Sequence, residues 1–205
     1  MISITEHIGL LRLCLNIFNI GINMAKADRK IIDKVFILLG IVTIVILLVV
    51  GALSWKAYSF ATNSVKTELA AQKVFFPPAN SKAIKELPVS DQEQMDRYAG
   101  QQLLTGPQAK VYADNFISFH LSKIANGKTY SQVSSEAQAD PTNPTLKAQE
   151  QTLFQGETLR GLLLGDGYAY WTFGQIAQYA AITSFVGAAI MALLVLLGLR
   201  HLNKS

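Results

Sequence analysis

Residues 35–55, VFILLGIVTIVILLVVGALSW, carry no charge, and neither does the run from Gly167 to Leu199. No other property of the chain limits its fold as much. A hydrocarbon core about 30 Å thick is crossed by roughly 20 apolar residues in a helix, and both runs reach that length. Val, Ile, Leu and Phe fill 15 of the 19 positions from Val35 to Leu53. At roughly −0.3 to −0.6 kcal/mol each near the bilayer centre, they favour insertion by several kcal/mol. Two alternatives compete, a buried helix in a soluble core and a cleavable signal peptide. The apolar core of a signal peptide spans about 7–15 residues and leads to a small-residue cleavage site. This run is longer and no convincing A-x-A site follows it. It reads as an uncleaved membrane helix.

Charge then sets a topology. Charged residues make up only 16% of the chain, against a net charge of +4. Residues 1–34 hold Arg12, Lys26, Arg29, Lys30 and Lys34 against Glu6, Asp28 and Asp33, leaving +2. Arg200 and Lys204 add another +2 after the second run, and residues 54–176 balance to zero. Lys and Arg concentrate on the cytoplasmic side of membrane helices, so both termini read as cytoplasmic. The expected organisation is a basic arm over 1–33, a transmembrane helix over 34–55, a helical extracytoplasmic domain over 56–173, a second transmembrane helix over 174–199 and a tail over 200–205. The fold class is all-α, a plasma-membrane protein with two spans flanking a small domain. The basic residues are few and juxtamembrane, so anionic headgroups account for them and no nucleic-acid partner is expected. The single cysteine, Cys14, falls on the cytoplasmic side, which leaves the exported part without a disulfide framework.

The arm has its own pattern. Ile4, Ile8, Leu11, Leu15, Phe18 and Ile22 recur every three or four residues, with Arg12, Asn16, Asn19 and Asn23 as a polar stripe. That is the periodicity of an amphipathic helix. A second reading places the start at Met24, just before AKADRKIIDKV, with residues 1–23 an over-extended start.

Between the apolar runs the pattern is mostly helical. The helix after Ser54 stops at VFFPPANS, where two prolines remove donors and restrict their neighbours. Ser90 with Glu93 has the spacing of a capping box opening DQEQMDRYAGQQLL. In GPQAKVYADNFISFHLSKIANG, Tyr112, Phe116 and Phe119 form one stripe and Ile117, Leu121 and Ile124 another, with Gly127 as the stop. Asn143 and Pro144 read as N-cap and first helical residue of the next helix.

Few residues in this region suggest chemistry. His120 is its only histidine and neighbours an aromatic stripe, where a packed side chain is the simpler reading. One histidine and no cysteine do not assemble a zinc or non-haem iron site, and no metal or cofactor is expected. Asp91, Glu93 and Asp96 read as a helix N-terminus favoured by its dipole. No nucleophile-elbow, zinc-protease or phosphate-loop motif occurs. No catalytic residue is assigned, and enzymatic activity is disfavoured.

The second apolar run carries Ala180, Ser184, Ala188 and Ala192 at every fourth position, a candidate helix–helix interface because small residues let helices approach closely. It serves either an oligomer or a partner, or the packing of the two apolar helices on each other, with Gly40 and Thr43 as the small residues of the first. Trp55, Tyr168, Tyr170 and Trp171 are candidate anchors at the outer headgroup layer. Gly165 and Gly167, flanking Asp166, would let the preceding helix change direction there.

The order of elements, with Gly106–Pro107, Gly127–Tyr130 (GKTY), Asp140–Pro141 and QTLFQGETLRGLLL, resembles a group of small two-span membrane proteins of actinobacteria whose function is not established. The resemblance covers roughly residues 35–200, and the residues after Phe154 diverge from the group's pattern. Some members carry an automatic label of aromatic ring-opening dioxygenase, which the ligand count here gives no reason to adopt. The resemblance implies the architecture and no activity. The leading expectation is a structural or interaction subunit of the cell envelope, partnered by the lipid bilayer and by a second copy or another membrane protein. The alternative is a sensor or transport accessory that binds a small ligand or lipid at the outer leaflet.

Overall fold

A computed structural model describes the backbone of residues 4–204 and the side chains of residues 29–203. Helix α1 runs Ile4–Gln72, followed by α2 (Lys82–Lys85), α3 (Val89–Asp96), α4 (Gly106–Val111), a first π-helical segment (Tyr112–Ile117) and α5 (Ser118–Lys123). After a 3₁₀ turn at Ile124–Gly127 come α6 (Tyr130–Ala139), α7 (Pro144–Leu162), a second π-helical segment (Leu163–Ala169) and α8 (Tyr170–Lys204). Among the described residues there is no strand, only an isolated antiparallel bridge between Phe75 and Gln102. The fold is therefore all-helical. The start of α1 contains the segment read as amphipathic, but the side chains that carry its two stripes lie outside the described residues.

Two stretches, Arg29–Gln72 and Pro144–Asn203, are long and apolar enough to cross a membrane. Their most apolar windows are only 11% and 17% buried. The core helix of a soluble protein would instead hide most of such a window. The chain divides into two compact units, one joining the chain up to Leu53 with the chain from Ala180, the other Ser54–Tyr179.

In the first unit the two apolar helices pack through small residues. A Cβ added at Gly40 would lie 2.5 Å from Val195 Cγ2, and one at Gly51 would lie 2.7 Å from the Phe185 ring. Gly187 faces Leu47 and Gly198 faces Ile37 at 3.5 and 3.3 Å by the same measure. Ala181, Ser184, Ala188 and Val195 form the buried side of α8. Large apolar side chains on the remaining surface, such as Phe36, Leu53, Val186 and Leu193, stand exposed.

The second unit has a conventional core. Phe76, Ile84, Met95, Leu103, Val133 and Leu153 are fully buried there, joined by Val65 and Leu69 from the end of α1. Lys73 takes a left-handed conformation at φ 53°, which ends α1 just before the prolines. Phe76 N–H then donates to Gln101 O and Leu103 N–H to Val74 O, both at 2.9 Å, tying the loop to the segment before α4. Asn143 caps α7 as expected, its side-chain oxygen accepting from Thr145 and Leu146 N–H at 3.1 and 3.2 Å. The stop expected at Gly127 comes earlier: α5 ends at Lys123 with Ile124 as an extended C-cap, and Ala125, Asn126 and Gly127 follow in left-handed conformations.

Two further expectations need correction. Ser90 and Glu93 do not form a capping box. Helix α3 begins at Val89 with Pro88 as N-cap, so Ser90 already lies inside the first turn and its hydroxyl donates to Asp91. The helix expected through Leu104 ends at Asp96, because Gly100 at φ 71° and the bridge at Gln102 pull the chain into extended form. Among the described residues, capping boxes form at Thr105 with Gln108 and at Thr129 with Gln132.

Candidate functional site

The domain 54–179 contains a half-open cavity of about 390 Å³. Helix α1 supplies one wall, with Glu68 four residues after Ser64 and four before Gln72, beside Val65 and Leu69. Those spacings put all five side chains on neighbouring strips of one helical face. The opposite wall comes from the end of α7 and the second π segment, including Leu159, Leu162, Leu163 and Asp166, and from Tyr170. Val65, Leu69 and Leu163 are buried and form the floor, while Leu159, Leu162 and Tyr170 stay exposed at the mouth. A volume of this size falls in the range of small-molecule sites, roughly 300–1,000 Å³, which are typically apolar with a few polar groups.

The π segment shapes that wall. Its wider turn adds a residue to the helix, a feature that recurs at functional sites. Close packing holds it in place. A Cβ at Gly167 would lie 2.9 Å from Ala109 Cβ on α4, and one at Gly106 would run into Trp171 Cβ. Helix α4 itself starts at a buried polar knot. Gln108 Oε1 accepts from Leu104 and Thr105 N–H at 2.8 and 3.0 Å, and its Nε2 donates to Gln101 Oε1 at 3.2 Å.

An ion cluster secures the same region. Asp114, on the first π segment, accepts from Lys110 Nζ at 2.6 Å and from Arg160 Nη2 at 3.2 Å. Partial burial pushes the Asp114 carboxyl up, but hydrogen bonds and charges from Lys110 and Arg160 outweigh it and hold the group below its usual range. The hydrogen bond to Asp114 and its charge raise Lys110 in turn. Lys110 Nζ also sits 5.2 Å from the Tyr168 ring centroid, a cation–π arrangement. Burial alone raises Tyr112, whose ring meets Phe76 edge-on at 5.3 Å.

Ser184 and Ala188 are buried against the first apolar helix, Ala192 is half-buried and Ala180 is exposed. Ser184 Oγ donates to Ala180 O at 2.8 Å within its own helix rather than across to the other. Thr43 likewise bonds locally, to Leu39 O at 2.9 Å. Trp55 is exposed and meets Tyr58 edge-on at 5.5 Å. Tyr170 is exposed, stacks on Phe173 and borders the cavity. Tyr168 and Trp171 are half-buried and turn toward the domain's own α4. Gly165 has open space around it, and the backbone stays helical through the segment read as a hinge.

Of the motifs that carried the family resemblance, Gly127–Tyr130 and Asp140–Pro141 are turn and cap residues, whereas QTLFQGETLRGLLL lies in α7 and the second π segment. Lys128 pairs with Glu136 at 2.7 Å, Thr129 caps α6, and Asp140 accepts from Thr142 and Asn143 in the turn before α7. Their chemistry is the chemistry of chain reversal. His120 Nδ1 lies 2.7 Å from Phe116 O and its ring packs on Phe116 and Phe119. Asp91 accepts from Asn115 at 2.9 Å while Glu93 pairs with Arg97 at 3.0 Å, so these acids serve separate contacts. Among the described residues no three His, Cys, Asp or Glu side chains converge as a metal site. Neither the cavity nor the Asp114–Arg160 pair is legible in the local sequence. The only local signal was the Ser64, Glu68, Gln72 strip beside Val65 and Leu69.

No protein family, curated protein or solved structure matches the chain.

Proposed function

We propose that the chain is an integral plasma-membrane protein with two spans, 34–55 and 174–199, both termini cytoplasmic and residues 56–173 outside, acting as an interaction subunit of the cell envelope. The observation that carries this reading is the exposure of both apolar windows. They are 11% and 17% buried although the two helices already pack on each other, so the remaining apolar surface needs a lipid environment or another chain. The excess of Lys and Arg at the two outer ends supports the orientation. Kinship with the small two-span actinobacterial proteins is part of the same proposal and rests on the quoted motifs. Cross-linking the full chain in intact membranes tests the interaction role. The expected result is a homodimer or one stoichiometric partner; a chain that stays monomeric and alone contradicts it.

The cavity favours a second reading, an accessory protein that binds a small ligand or lipid through residues 64–72 and 159–170. Its volume and apolar floor suit a compact apolar group.

A further inference from the structure

We infer that the cavity between α1 and the second π segment takes a small cationic amphiphile, an apolar body of alkylamine type with one ammonium head. This rests on the ligand-binding reading of the domain and names the class of ligand.

The apolar part follows from the floor. Val65, Leu69 and Leu163 are 3%, 4% and 3% exposed, and Leu159 and Leu162 extend the same surface to the mouth. A chain of methylenes placed there leaves water for an apolar wall, the ordinary driving force for such sites. The charge follows from the polar lining. It includes two carboxylates, Glu68 and Asp166, with the neutral Ser64 and Gln72, and no Lys, Arg or His. Elsewhere in the domain Asp114, Glu136 and Glu93 are each matched by a base within 3.2 Å, while Asp96 and Glu150 are not. The Glu68 and Asp166 side chains make no hydrogen bond or ion pair to another described residue. An anionic head would meet two unneutralised carboxylates, and a cationic head would be complementary to both.

The test is equilibrium dialysis on the full chain in phosphatidylcholine nanodiscs, with empty nanodiscs subtracted. The probes are octylammonium, octanol and octanoate, which share a chain and differ in head charge. The expected result is saturable binding of octylammonium, about tenfold tighter than octanoate, given the modest worth of exposed charge pairs. Glu68→Gln with Asp166→Asn brings the two affinities together. Leu162→Trp, at an exposed lining position, fills the mouth and weakens all three probes. Saturable binding of all three with no preference for the cation overturns the inference and leaves the ligand-binding reading standing. A preference that survives the double substitution also overturns it. Absence of saturable binding by any probe overturns both.

Discussion

At Gly167 an added methyl group would lie 2.9 Å from Ala109 Cβ, whereas at Gly165 nothing lies within 4 Å. Two glycines in one short segment therefore respond differently to the same substitution. Gly167→Ala is expected to cost about 1–3 kcal/mol through overpacking. Gly165→Ala is expected to be neutral or to stabilise by up to about 1 kcal/mol, because alanine is the better helix former. Denaturant unfolding of the purified chain in mild detergent measures both, and equal costs would contradict the packing described here. Asp114 offers a charge-based counterpart. Burial opposes its ionisation, yet Lys110 and Arg160 lower it on balance. A carboxyl whose folded pKa is depressed contributes stability above its unfolded pKa and loses it as pH falls through the folded value. Asp114→Asn is therefore expected to cost about 1 kcal/mol near neutral pH, discounted for partial exposure. The variant and the wild type should converge in acid below the usual carboxylate range, and a gap that persists there would contradict the assignment.

At the scale of elements, the start of each helix is set by a few atoms. Thr105 and Gln108 reciprocally cap α4, so Thr105→Ala should lower stability by about 1 kcal/mol. Ser90→Ala should change it little, since Pro88 O rather than Ser90 receives the first N–H groups of α3 at 2.9 Å. Thermal melts followed by circular dichroism distinguish the two. The same pair shows what sequence makes legible. Asn143–Pro144 was readable because cap and first-turn residue fix a boundary by local chemistry. The Ser90–Glu93 spacing also fits residues inside a first turn, so the pattern alone does not locate the boundary. The π segments left no periodic signature, because one extra residue in a turn hardly changes the apolar spacing. The cavity needs residues 64–72 beside 159–170, a pairing no local pattern encodes. Arg160 meets Asp114 across 46 positions for the same reason.

At the scale of the whole molecule, two apolar helices and a helical domain with its own core are the main parts. The apolar runs were legible from length and charge alone, and the core of the domain was legible only as helical stripes. The membrane topology is the claim on which the functional reading depends. It is tested most directly by thiol labelling in intact cells, in a Cys14→Ser background. Ser131→Cys, at an exposed position on α6, reports the domain, and Asn203→Cys, exposed near the end of α8, reports the tail. A membrane-impermeant maleimide is expected to label the first in whole cells and the second only after lysis. Labelling of Ser131→Cys only after lysis, or of Asn203→Cys in whole cells, would contradict the topology.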